Sequence, residues 1–164
     1  MYRDRPARVF GLLVWLAVTF TVAAIGALAS VDAATFYEQL QRPSWAPPAW
    51  LFGPVWTMLY AAMAVSAWLV WRERGFGGAR LGLGIFLVQL AVNGLWSWLF
   101  FGWRLGALAL ADVLLLWTLI SLTIVVFHGI NRLAALLLVP YLVWVTFASA
   151  LTFVVWQLNP ALLG

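Results

Sequence analysis

Five apolar stretches, each bounded by arginine, glycine or proline, follow one another along the chain with little polar sequence between them. They cover about residues 9–30, 51–71, 81–101, 105–127 and 133–157. About 20 helical residues cross roughly 30 Å of hydrocarbon, so each stretch predicts a transmembrane helix. Together they predict an all-α membrane protein, a bundle of five transmembrane helices in one domain over residues 1–164. "RERGFGGAR" (72–80), "GWR" (102–104) and "HGINR" (128–132) read as tight connections, and residues 31–50 as the one long loop. The first stretch follows a basic "RDRPAR" and ends near "ALAS", as a secretory signal would, but about 20 apolar residues exceed a signal core and a retained helix is expected.

Charge sharpens this picture. Only 9% of the residues are charged against 66% hydrophobic, where a soluble domain carries about 25% charged residues. All nine basic residues are arginine and they flank the apolar runs, as topology signals do; nucleic acid is not an expected partner. An odd number of spans places Arg3, Arg5, Arg8, Arg72, Arg74, Arg80 and Arg132 on one side and only Arg42 and Arg104 on the other. That asymmetry predicts a cytoplasmic N-terminus in the cell (inner) membrane, with the outer membrane as the alternative, and puts the long loop outside.

The long loop and the start of the second span are chemically unusual. "QRPSWAPPAWLFGPVWTMLY" (41–60) holds four prolines and three tryptophans. Pro43, Pro47 and Pro48 restrict the loop to an extended course, and Pro54 falls in the first turn of the span, where a missing N–H costs least. Trp45, Trp50, Trp68, Trp71, Trp103 and Trp156 suit an interfacial aromatic belt. Trp56, inside the span one turn before Tyr60, does not. A stiff loop over an aromatic helix mouth predicts a lid, with Trp45, Pro47 and Pro48 in it. The third span offers Gln89, Asn93, Trp96 and Phe100 on one face, and the fifth offers Tyr141, Trp144, Ala148 and Leu151. Such stripes serve helix packing more often than ligands, but an unpaired Asn93 amide in hydrocarbon costs several kcal/mol and demands a partner. Asp112, the one acid inside a span, is expected to face the bundle interior. Gly78, Gly82 and Gly84 open the third span and offer close helix approach.

Three stretches, "PSWAPPAWLFGPVWTMLY", "QLAVNGLWSWLFFG" and "PYLVWVTFASAL", closely resemble the signature segments of the TspO/MBR family, the translocator proteins or tryptophan-rich sensory proteins. The resemblance extends from about residue 9 to residue 160. It implies a five-helix bundle, commonly a homodimer, with a pocket closed by the first loop. It also implies porphyrins and haem precursors as ligands, with no covalently bound cofactor. Carried over by motif, the pocket positions are Trp56, Asn93, Trp96, Phe100, Trp144, Ala148 and Leu151. One departure stands out. Relatives continue the fifth helix with Leu-Asn-Tyr and a basic residue, where this chain has Thr152, Phe153 and Gln157; specific sterol binding is therefore not expected.

Three functions follow as expectations: a membrane sensor or translocator of a tetrapyrrole, with membrane lipid as a further partner; an enzyme-like light- and oxygen-dependent porphyrin breakdown in which Trp56 and Trp144 would be catalytic; or a structural or partner-binding membrane protein whose pocket is incidental. Conventional catalysis finds no support, since no Ser–His–Asp set or carboxylate pair is visible. With no cysteine and one histidine, His128, no metal site is expected. His128 reads as a loop residue at the end away from the lid.

Overall fold

A computed structural model describes residues 5–164, so Arg3 of the charge asymmetry lies outside the described residues. Five helical segments are long and apolar enough to cross a membrane, and there is no β-strand among the described residues. The helices are α1 (Arg5–Ala29), α2 (Ala33–Gln39), α3 (Phe52–Gly78), α4 (Arg80–Ser97), α5 (Gly106–His128), α6 (Arg132–Leu158) and the short α7 (Pro160–Leu163). The long ones close a ring by packing in the order α1, α3, α6, α5, α4 and back to α1.

The end of the ring that carries the α3–α4 and α5–α6 connections is densely packed. Gly11 of α1 leaves no room for a side chain, because a Cβ there would lie 2.0 Å from the Trp71 ring. Trp68 Nε1 donates to the Arg8 carbonyl at 2.9 Å. These two tryptophans, expected in an interfacial belt, are therefore part of the α1–α3 contact. Phe86 and Phe127 stack at 6.0 Å between α4 and α5, and Met63, Ala64, Ala67 and Val70 of α3 are buried among them.

Several boundaries differ from those the sequence predicts. The second span continues past Trp71 through Arg72, Glu73 and Arg74. These residues favour helix, and Glu73 accepts a hydrogen bond from Asn131 Nδ2 in the neighbouring turn. The reversal comes at Gly75, whose φ of 64° and ψ of −178° suit only glycine. His128 is the last residue of α5 rather than part of a loop. Gly82 does not present a free face: a Cβ would meet Val126 and Phe127 of α5 in the same chain at 3.0 and 3.2 Å. The third span ends in a π-helical turn, Trp98–Gly102, in which Trp103 N donates to Trp98 O at 2.7 Å.

The long loop is not extended throughout. Its first part is helix α2, which buries Phe36 and Tyr37, with Leu40 buried just after it. The proline-bearing stretch is also broken by a turn at Ser44–Trp45, closed by Ala46 N donating to the Pro43 carbonyl at 3.0 Å, and Pro48 is extended just before the 3₁₀ turn Ala49–Leu51 that leads into α3. Asn159, buried just after α6, fastens this loop: its Oδ1 accepts from Gln41 N at 2.8 Å and its Nδ2 donates to Gln41 O at 2.9 Å. Tyr37 OH donates to the Pro47 carbonyl at 3.0 Å.

Candidate functional site

At the loop end the ring of helices encloses a cavity of about 650 Å³, within the roughly 300–1,000 Å³ of small-molecule sites. Trp56 of α3 lines it, as do Asn93 and Trp96 of α4 and Phe100 of the π-helical turn. From α6 come Trp144, Ala148 and Leu151. All seven pocket positions named from the sequence thus meet at one cavity. The lid residues Trp45, Pro47 and Pro48 are not in its wall, and neither is Asp112, although its neighbour Val113 is. Trp45 packs edge-on against Phe147 of α6, with ring centroids 5.7 Å apart.

The wall is aromatic because helical spacing makes it so. Trp96 and Phe100 lie one turn apart and stack at 5.1 Å with an interplanar angle of 11°. The π-helical turn brings the next residue, Phe101, into the wall as well, its ring 5.0 Å from that of Phe100. Opposite, Phe52 meets Trp144 edge-on at 5.9 Å. Trp56 leans on Tyr60 and, edge-on, on Tyr141.

Asn93 obtains the partners its burial requires. Its Oδ1 accepts from Tyr60 OH of α3, and its Nδ2 donates to Tyr141 OH of α6 at 2.9 Å. Tyr141 OH in turn donates to Gln89 Oε1 at 3.0 Å. This chain of side chains ties three helices together at the floor of the cavity. Three buried polar atoms have no hydrogen-bond partner among the described residues: Trp96 Nε1, Trp144 Nε1 and Asp112 Oδ2. Two of the three belong to indoles of the cavity wall. Asp112 is buried, 8% exposed, as expected of an inward-facing acid, yet it bonds neither to an indole nor to Asn93.

The matching of known proteins decides the family. The TspO/MBR family model matches residues 13–157. The chain belongs to the TspO/MBR family. It is 43% identical over 132 residues to a tryptophan-rich protein TspO of Chlorobaculum tepidum, covering 78% of this chain and 82% of that one. It is 44% identical over 126 residues to the human translocator protein, covering 76% and 75%. A tryptophan-rich sensory protein of Cereibacter sphaeroides is 39% identical over 147 residues, 90% of each chain. With five apolar helices and this membership, the chain is a multi-pass membrane protein of a family that includes translocator and sensory proteins.

Three parts of this TspO/MBR site escape sequence reasoning. Ala23, Ala24, Gly26 and Ala27 of α1 form one wall; small residues at helical spacing are the signal, visible only when α1 is taken as pocket wall rather than lipid-facing anchor. Helix α2 adds Ala33, Ala34 and Tyr37. The Tyr60–Asn93–Tyr141–Gln89 chain joins residues from three helices, a pairing that no single helix face reveals.

Proposed function

We propose that this protein is a membrane receptor for a flat tetrapyrrole, a porphyrin or haem precursor, which it takes into the cavity at the loop end and whose presence it senses or passes on. The observation that carries the reading is the wall itself: stacked and edge-on aromatic rings around about 650 Å³, with Trp96 Nε1 and Trp144 Nε1 unpartnered. Planar aromatic surface favours a planar ligand, and two buried donors without acceptors gain from a ligand with polar ring atoms or carboxylates. At the loop end, Arg104 lies over the Phe36 ring at 4.5 Å and Arg42 over the Tyr37 ring at 4.6 Å. Both arginines are exposed and suit ligand propionates.

The test is a titration of purified protein in nanodiscs with protoporphyrin, followed by the Soret shift and tryptophan quenching. Ala148, half-buried in the wall one turn from Trp144, is the position to fill. Ala148→Leu should weaken binding by ~1–3 kcal/mol, the range of overpacking costs. Unchanged affinity in a folded Ala148→Leu protein would place the ligand elsewhere. Illumination of the same samples in air separates sensing from breakdown. A stable Soret band after light supports a receptor; a new product spectrum, lost in Trp144→Phe, would make the protein a porphyrin-degrading enzyme.

A further inference from the structure

The cavity has thirteen wall residues from α4 onward and none of them is exposed. The exposed wall residues are Phe20, Ala24 and Ala27 of α1, Ala34 of α2, and Gly53 and Thr57 of α3. They frame a gap between α1 and α3. Below it the two helices close, first with Phe20 against Tyr60 at 6.2 Å and then at Gly11 and Trp71. Above that point α1 is drawn to the other side of the ring. A Cβ at Gly94 of α4 would lie 2.9 Å from Val22 Cγ1, and one at Gly26 would lie 3.3 Å from Ser97 Oγ. Facing the gap from α3, a Cβ at Gly53 would meet nothing within 4 Å.

The loop end is built in the opposite way. There the chain is fastened by the Asn159–Gln41 pair and by Tyr37 OH on the Pro47 carbonyl. Trp45 packs on Phe147, and Phe52 on both Tyr37 and Trp144. Opening that end breaks hydrogen bonds and separates edge-on ring pairs. Opening the side moves mostly small side chains apart, Phe20 being the one large member of the rim, and the exposed rim has no free polar side chain to desolvate, since Thr57 Oγ1 already donates to the Gly53 carbonyl at 2.9 Å. Ala24 and Thr57 each lie five residues inside their helix ends, about 8 Å at 1.5 Å per residue. That depth lies within both candidate spans, segments of the length and composition that cross ~30 Å of hydrocarbon.

We infer that the cavity exchanges its ligand with the lipid bilayer, through the gap between α1 and α3, while the loop stays fastened. The occupant is a flat apolar ring dissolved in the membrane. The inference rests on the ring-ligand reading above for the identity of that occupant, but not for the existence of the passage.

The chain has no cysteine, so a single thiol reports access cleanly. Ala148→Cys places one in the cavity wall. In nanodiscs it should react with N-phenylmaleimide, a small flat reagent that partitions into lipid. Adding Gly53→Phe and Ala24→Phe should slow that reaction by about tenfold, whereas adding Asn159→Ala, which removes the loop's tie to the end of α6, together with Tyr37→Phe, which removes its bond to the Pro47 carbonyl, should not speed it. Labelling unaffected by the two gap substitutions, or accelerated by the two loop substitutions, would overturn the inference and put access at the loop end. If the double substitution does not fold, Gly53→Leu alone serves, because its Cβ meets open space. Protoporphyrin kinetics give the second arm. Association and dissociation should slow together in the gap variants, with Kd moving less than either rate. Absence of protoporphyrin binding in the unsubstituted protein would sink the receptor reading while the maleimide result still decides the passage.

Discussion

Tyr141→Phe removes a single oxygen from a side chain that is fully buried. The ring stays against Trp56, but two interhelical hydrogen bonds go, the one accepted from Asn93 Nδ2 and the one donated to Gln89 Oε1. Hydrogen bonds between helices in bilayers average ~0.6 kcal/mol and reach at most ~1.7, so the pair is worth ~1.2 kcal/mol at the average. Gln89 Oε1 and one Asn93 hydrogen are then left unsatisfied, and a buried orphaned group costs ~1–3 kcal/mol. An expected loss of ~2 kcal/mol lies between these limits, about thirtyfold in the folding equilibrium. The assay is reversible unfolding in mixed detergent micelles, followed by circular dichroism. A double-substitution cycle with Gln89→Leu makes the test specific. Removing the orphaned acceptor should recover part of the loss, with a coupling of ~0.6–1.7 kcal/mol. A loss under ~0.3 kcal/mol, or strictly additive single and double variants, would refute the claim that this chain of hydrogen bonds ties the three helices.

Gly106→Ala should destabilise the loop end by ~1–3 kcal/mol, because its Cβ would fall 2.3 Å from Trp156 Cδ1 and 3.1 Å from Leu163 Cβ; thermal unfolding in detergent reads it, and an unchanged midpoint would show that Trp156 moves freely. Asp112→Asn should preserve the fold and hold or raise stability, since the carboxylate Oδ2 has no partner among the described residues, and should change porphyrin affinity little, since Asp112 is not in the cavity wall; a large affinity loss would tie it to the ligand. For orientation, alkaline phosphatase fused after residue 164 should be active and a fusion at Gly77 inactive, as the arginine asymmetry predicts; the reverse pattern would invert the protein in its membrane.

The spans are legible in the sequence because bilayer thickness imposes a length, and uninterrupted apolar runs satisfy it with few alternatives. Their ends are less so. Arg72, Glu73 and Arg74 look like a connection by charge, yet charged residues are good helix formers once a partner such as Asn131 is at hand. Prolines dominate the long loop and conceal helix α2, whose stabilising contacts, Phe36 beside Phe101 and Tyr37 beside Phe52, come from outside the helix, from the π-helical turn and the start of α3. Wall positions on α4 and α6 are legible because their aromatic and polar residues recur at helical spacing. The wall from α1 is not, because alanine and glycine look alike whether they face lipid, another helix or an empty space. Glycines mislead in the same way: Gly82 and Gly84 differ by two positions, and only their neighbours tell that Gly82 is filled by Val126 and Phe127 while Gly84 is open.

The bond between Asn159 and Gln41 joins residues 118 positions apart, and that separation is also an interval of time during synthesis. At about 5–20 residues per second, Asn159 leaves the ribosome roughly 6 to 24 s after Gln41. Throughout that delay the first loop lacks its tie to the end of α6, and for most of it the indoles of α3 and α4 stand without the α6 wall. The nascent protein is therefore an unsealed half-ring in the membrane, exposed to whatever flat molecule or protease is near. Shortening the chain to end before Asn159 would keep one feature of that passing state permanently: all five spans present, the tie between the loop and the end of α6 gone, and the protein an easier substrate for membrane quality control.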